Sequence, residues 1–342
     1  MVRNRKRLSV WRNVLLRSLL GSWRFVLYTQ RRAERKYVLR HYCRRRGKKN
    51  VTPYVIFVNN GFMWHAGLCD RLRAMTTLYA WCRTREIDFK IYFVYPFRLT
   101  AYLEPKNYDW TIPDEEVSYD LSCARPRVMM YGPDVESLRK KGELFPLVEN
   151  WMERELVVKR KQVHVYTNLF LDYTARDFGK IFSELFKPSV RLQKQIDLHM
   201  ERLDGRYISI SFRFTTLLGD FEDCTGSPLP EEERAALIEK CVTAIAEIRA
   251  KAPMHKHVLV TADSPTFLKR VKGLPDVYVV QGQVGHIDYQ HSDAVNMKTF
   301  LDFFLISKAE KVYLARTGQM YRSAFAKTAS LVENKPFEEY VF

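Results

Sequence analysis

The sequence predicts an α/β protein in two domains, the second built on a parallel doubly wound sheet, with a basic amphipathic arm ahead of both. Three observations carry this. From residue 207 to 334, short β-branched runs alternate with helical patterns, the signature of parallel strands joined by crossover helices. A strand, a glycine-bearing loop and a helix follow one another from residue 54. A chain of 342 residues with 46% hydrophobic and 13% aromatic content is long enough to build two ordinary cores.

Residues 1–50 form the arm. The formal charge of +17 would by itself point to nucleic acid or membrane. Its distribution narrows that. Residues 1–50 hold 17 Lys/Arg against one acid, Glu34, whereas residues 51–342 hold 39 against 38. The body is therefore nearly neutral. Arg12, Arg17 and Arg24 interrupt the apolar run, so no transmembrane span is expected. The broken apolar core, with no small-residue cleavage site after it, also argues against a signal peptide. Helical spacing places Leu15, Leu16, Leu19, Leu20, Trp23, Val26 and Leu27 on one face, with Arg17 and Arg24 opposite. That describes a helix lying in a membrane interface. The basic residues up to Lys49 would each draw anionic lipid by about 1 kcal/mol at close range. An anionic membrane surface touching residues 8–49 is the expected partner. Five aromatics (Trp11, Trp23, Tyr28, Tyr37, Tyr42) keep RNA as a rival, but the apolar face makes nucleic acid the weaker reading. The six cysteines lack metal-ligand spacing and read as thiols of a reducing compartment.

Residues 51–190 form the first domain. Tyr54–Val58 is a buried strand, residues 59–67 are a loop, and Leu68, Leu72, Met75 and Tyr79 recur at helical spacing. The loop amides and the helix start can hold an anion or sugar oxygens. Further strands are expected at Ile91–Tyr95 and Val163–Tyr166, with a charged helix around 148–160. Residues 96–147, rich in Pro, Tyr and Asp, read as irregular cover that could line an acceptor groove. His65, in the loop, is a catalytic candidate, although an ordinary core role is open to it; His164 reads as a strand residue with a satisfied ring.

Residues 191–334 form the second domain, followed by a tail at 335–342. Ser189 caps a helix with Leu192, Ile196, Met200 and Leu203 on one face, and Gly205 ends it. The strand Tyr207–Phe212 then delivers Arg213 to a loop that holds Gly219, Asp220, Glu222 and Asp223. The next helix opens on Glu231, Glu232 and Glu233, as the helix dipole favours. Strands Val258–Thr261, Val277–Val280 and Val312–Leu314 alternate with helices at 265–272, 294–308 and 319–329. Polar groups collect where the strands end, as ligand sites in open α/β sheets require. Arg213 is either an anion clamp or half of a sheet-edge ion pair. Asp263 either accepts two N–H bonds from a guanine edge or caps the next helix, a role Ser264 could equally fill. The amides of Thr317 and Gly318, at a helix start beyond Arg316, could hold a diphosphate beside Arg213. No Gly-x-Gly-x-x-Gly follows the first strand, so a dinucleotide dehydrogenase is not expected.

In this order the motifs resemble the fucosyltransferase superfamily of two-domain GT-B glycosyltransferases, which includes α1,2-, α1,6- and bacterial nodulation enzymes. Gly67-Leu-Cys-Asp70-Arg71-Leu72 is similar to that family's Gly-Leu-Gly-Asp-Arg-Leu stretch. Ser211-Phe-Arg213 resembles its His-x-Arg motif, and Thr261-Ala-Asp263 its strand-end Asp. Asp302-Phe-Phe-Leu-Ile-Ser307 with Arg316-Thr317-Gly318 resembles its last motif. The resemblance implies two Rossmann-like domains and a metal-independent, inverting transfer from GDP-fucose, a donor substrate and not a cofactor, to a glycan or lipid-linked glycan. It implies donor contacts at Gly67, Asp70, Arg71, Arg213, Asp263, Ser264, Asp302, Arg316, Thr317 and Gly318. Arg213 would hold the β-phosphate as the diphosphate departs, and Asp220 or Glu222, with Asp223 behind them, would be the base. Ser211 replaces the family's His, Phe214 its second Arg and Cys69 its loop Gly, so neither linkage follows. Together with the arm, this implies an enzyme at the cytoplasmic, inner face of a membrane, acting on a bacterial surface-glycan precursor. The alternatives are transfer from another GDP-sugar and a non-catalytic module that binds RNA or membrane.

Overall fold

The computed structural model describes residues 2–43, 51–158, 161–169, 171, 177–221, 226–287 and 292–342. The chain begins with α1 (Val2–Ala33), β1 (Val55–Asn59), α2 (Leu68–Arg83), β2 (Phe89–Phe93), β3 (Leu103–Pro105) and β4 (Ala124–Met129). It continues with α3 (Pro133–Lys140), α4 (Leu144–Glu155), β5 (Gln162–Thr167), α5 (Phe178–Leu185), β6 (Phe186–Pro188) and α6 (Val190–Arg202). Last come β7 (Tyr207–Phe212), α7 (Glu231–Ala250), β8 (His257–Ala262), α8 (Pro265–Val271), β9 (Val277–Tyr278), α9 (Asp293–Lys308), β10 (Lys311–Arg316), α10 (Phe325–Val332) and β11 (Phe337–Val341).

These elements group into two units. One takes Met1–His65, Asp70–Tyr95 and Asp109–Thr174; the other takes Ala66–Cys69, Pro96–Tyr108 and Ala175–Phe342. The first holds a parallel sheet in the order β2-β1-β5-β4. Every residue of β1 and β5 is buried, as the unbroken apolar run of β1 foreshadows. Residues 96–147 are not merely irregular cover, because β4 and α3 lie among them. Ala-Arg-Pro-Arg-Val-Met hides its strand character: Pro126 cannot donate to a ladder, which suits the sheet edge, and Arg125 and Arg127 alternate with buried positions.

The arm is not a separate body. Its second half packs on β4 and α3, with Phe25 and Val26 buried and Gln30 bonded both ways to the Met130 backbone at 3.0 and 2.8 Å. Val26, expected on the membrane face, is thus covered by the protein itself. Gly21, at φ 73° and ψ 162°, breaks α1 into two helical stretches. No described helix is long and apolar enough to cross a membrane.

The second unit is a five-stranded parallel sheet, β11-β10-β7-β8-β9. Strand β7 is central and wholly buried. Ile208, Ile210 and Phe212 share a core with Val258, Val260, Phe267, Cys241 and Ile245. Residues 335–342 are not a tail, since Phe337–Val341 pairs in parallel with β10. The boundary near residue 190 also moves. Strands β3 and β6 form a small antiparallel ribbon, and Tyr102 stacks on Phe300 at 4.8 Å and donates to Asp293 at 2.8 Å. Residues 96–108 therefore belong with the second unit. Ser189 caps α6 as expected, its hydroxyl accepting from the Leu192 amide at 3.4 Å.

Candidate functional site

In the second unit the chain runs from β7 outward through β8 to β9, then returns to the other side of β7 with β10 and β11. The order reverses between β7 and β10, and open α/β sheets take ligands outside the carboxyl ends of the strands at such a point. Leu314 lies beside Ser211, so two residues on, Arg316 and Arg213 reach that edge from adjacent strands. The segment after Arg316 folds back across it, with the Tyr321 amide donating to the Arg213 carbonyl at 3.2 Å.

Arg213 is built in rather than dangling. Its Nη1 lies 3.2 Å from Oδ2 of Asp263, and its guanidinium sits 4.6 Å from the centre of the Phe221 ring. Its side chain keeps 20% of its surface exposed. Asp263 is buried, and its Oδ1 and Oδ2 accept the amides of Phe214 and Thr215 at 2.8 and 2.7 Å. Burial raises its pKa, and Arg213 with those two amides pulls back the other way. Both carboxylate oxygens of Asp263 thus accept the chain's own amides, since a buried carboxylate needs donors at fixed positions. It does not cap α8. Ser264 does so, accepting from the Phe267 amide at 3.1 Å. Thr215 has φ 54°, a strained value for a β-branched residue, held by the Asp263 bond and by its own hydroxyl donating to the Phe214 carbonyl at 2.6 Å.

Asp220 falls in the same cluster, held through one of its two oxygens. Its Oδ2 accepts from Ser264 Oγ at 2.7 Å and from the Thr266 amide at 2.8 Å, so it braces the start of α8. Glu222 and Asp223 lie outside the described residues. On the other side of the switch point, Arg316 pairs with Glu339 of β11, and Arg322 pairs with the same carboxylate at 2.7 Å. No helix starts at Thr317 and Gly318. They form a turn, and α10 begins at Phe325, so the expected helix-start cradle is corrected to a loop. Asp302 points into α9's own surroundings, where its buried Oδ2 meets Lys298 Nζ at 2.5 Å. Burial raises its pKa and Lys298 opposes the shift.

The remaining candidates are dispersed. Asp70 pairs with Arg73 along α2 at 2.5 Å. Arg71 is buried, its guanidinium 5.4 Å from the Phe93 ring. Both belong to the first unit, whereas Gly67 groups with the second. His65 is wholly buried, with Nδ1 3.0 Å from the Met63 carbonyl. Burial, helped by Arg71, pushes its pKa down to about 3, so it is a core residue. The His164 ring is satisfied as expected, by Tyr42 at 2.7 Å and Gln162 at 3.0 Å. Sequence reading missed Phe221, Glu339, Arg322 and Tyr321. Only Glu339 left a signal, the β-forming Phe, Tyr and Val of the run Phe-Glu-Glu-Tyr-Val.

No protein-family profile and no curated protein sequence matches the chain. Solved structures do. The fucosyltransferase NodZ from Bradyrhizobium is 16% identical at a TM-score of 0.51, over 82% of this chain and 92% of its own. A structure of NodZ α-1,6-fucosyltransferase soaked with GDP-fucose gives 16% and 0.50 over the same shares. A point mutant of Arabidopsis thaliana FUT1 in complex with GDP gives 12% and 0.50, over 94% of this chain and 78% of its own. The chain thus has the α/β fold of the GT-B fucosyltransferases.

Proposed function

We propose that the second unit binds GDP-fucose at the β7/β10 switch point and that the protein transfers the fucose, with inversion, to a glycan or lipid-linked glycan. One observation carries this: a fixed, partly exposed Arg213 at the carboxyl edge of the central strand, held by Asp263 and Phe221. Support comes from the fold it shares with fucosyltransferases solved with GDP and GDP-fucose.

In an inverting transfer the sugar–phosphate bond breaks as the acceptor hydroxyl attacks, and negative charge grows on the departing diphosphate. A guanidinium already held in place stabilises that charge without reorganising, and it can do so without a metal. Asp263 helps to aim the guanidinium, whose planar fork matches phosphate oxygens in geometry. With Asp220 committed to α8, Glu222 is the base we propose for the acceptor hydroxyl. We place the enzyme at the inner face of a membrane, in keeping with its basic arm.

Calorimetry with GDP tests the donor site. Arg213→Ala should weaken binding by about 10- to 100-fold, the worth of a charged hydrogen bond, with unchanged far-UV dichroism. Equal affinity in both proteins would sink the reading. A hexose in place of a deoxyhexose adduct in the product mass would assign another GDP-sugar.

A further inference from the structure

We propose that a cavity in the first unit, remote in sequence from the donor-site residues, binds the phosphate headgroup of an anionic membrane lipid, with the N-terminal helix supplying the apolar contact. The cavity has a volume of about 600 Å³ and lies among the second half of α1, β4 and α4. That is ample for a headgroup and the start of a chain, since ligand sites run from about 300 to 1,000 Å³. Every residue lining it belongs to the first unit.

Its lining is strongly unbalanced in charge. Arg24, Arg31, Arg35, Arg127 and Arg154 face two acids, Glu34 and Glu155. Those acids are already engaged: Arg127 lies 3.5 Å from Glu34 and 2.5 Å from Glu155, and Arg31 lies 3.4 Å from Glu155. Arg24, Arg35 and Arg154 are exposed and make no ion pair among the described residues. Guanidinium forks match phosphate oxygens in geometry, and three of them round one opening await an anion. Val128, Leu147 and Trp151, all buried, form the apolar part of the lining.

The same helix carries a second, independent feature. Before the break at Gly21, Leu16, Leu19 and Leu20 stand at helical spacing, and Leu19 is 73% exposed. Trp23, just past the break, lines the cavity and is 37% exposed. An apolar stripe ending in Trp beside a ring of arginines is the arrangement of an interfacial helix over charged headgroups. The exposed apolar stripe of Leu19 and Trp23 favours a lipid over a nucleic acid, whose backbone would meet the arginines alone.

The test uses the full chain and its Arg24→Gln/Arg35→Gln/Arg154→Gln variant, all three positions being exposed and unpaired. The probes are phosphatidylcholine vesicles with and without phosphatidic acid, dioctanoyl phosphatidic acid, inorganic phosphate and a single-stranded RNA oligomer. We expect binding to vesicles that contain phosphatidic acid and to the short-chain lipid. The triple variant should lose about 100-fold in affinity at an unchanged urea midpoint. Inorganic phosphate should bind far more weakly than the short-chain lipid. Failure of either lipid probe to bind, equal binding by the variant, phosphate as tight as the lipid, or RNA as the arginine-dependent ligand would each overturn the proposal. None of these readouts depends on GDP binding.

Discussion

The carboxylate of Asp263 lies 3.2 Å from Nη1 of Arg213 while it accepts the amides of the two residues that follow that arginine. One side chain, 50 residues downstream, thus fixes both the charge and the backbone turn that presents it.

Asp263→Asn should therefore act on stability and binding together. Its NH2 must face one of the two amide donors, and the arginine loses its counter-charge. We expect a loss of about 2–4 kcal/mol in urea unfolding. GDP affinity should fall with it, because Arg213 is no longer aimed. Unchanged GDP affinity in the folded variant would show that Asp263 serves the turn alone.

Asp220 and Glu222 should separate cleanly. Asp220→Ala removes a brace at the start of α8 and should cost about 1 kcal/mol of stability. Glu222→Gln should slow transfer by about 100-fold or more, the usual worth of a general base. Equal transfer rates in wild type and Glu222→Gln would move the base elsewhere in the loop.

Lys298 and Asp302 form a buried pair within α9. Truncating one partner strands the other, so Lys298→Met or Asp302→Leu alone should cost about 3–5 kcal/mol, while the double variant should cost less than either. Additive losses in a double-mutant cycle would show that the pair is not coupled.

The buried histidines set a pH response. His65 and His164 both have pKa values pushed down to about 3 by burial. The unfolded chain therefore takes up protons below pH 6.5 that the folded protein refuses. Their contribution is intact above that pH and is lost as pH falls toward 3, at about 1.4 kcal/mol per pH unit for each histidine. Urea midpoints between pH 7 and 5 measure this, and His164→Gln should halve the slope contributed by the pair.

Strand β7 and its terminal arginine were legible because a buried central strand must be an apolar run, and the Ser189 cap because capping is local chemistry. Strand β4 was not, because an edge strand tolerates Pro126 and alternating arginines. Phe337–Val341 reads as a tail in the sequence because Phe-Glu-Glu-Tyr-Val lacks the alternation of a half-buried strand. The roles of Asp263 and Asp220 could not be read from spacing at all. Each side chain is claimed by amides distant in sequence, and only the folded chain brings them together. The expected helix start at Thr317 failed because a glycine after a strand marks a turn as readily as a cap.

The all-parallel pairing of both sheets has a kinetic consequence. Among the described residues no two paired strands are joined by a hairpin, so no local contact can seed either sheet. The Ser211 hydroxyl meets that of Thr261, 50 residues away, and the Tyr207 hydroxyl meets the Leu305 carbonyl across 98. Chain closure over such spans comes before any reward in burial, which makes refolding slow and leaves strands such as Ile208–Ile210 bare in the interval. Recovery from denaturant should thus fall as protein concentration rises, set by how long β7 waits for its neighbours.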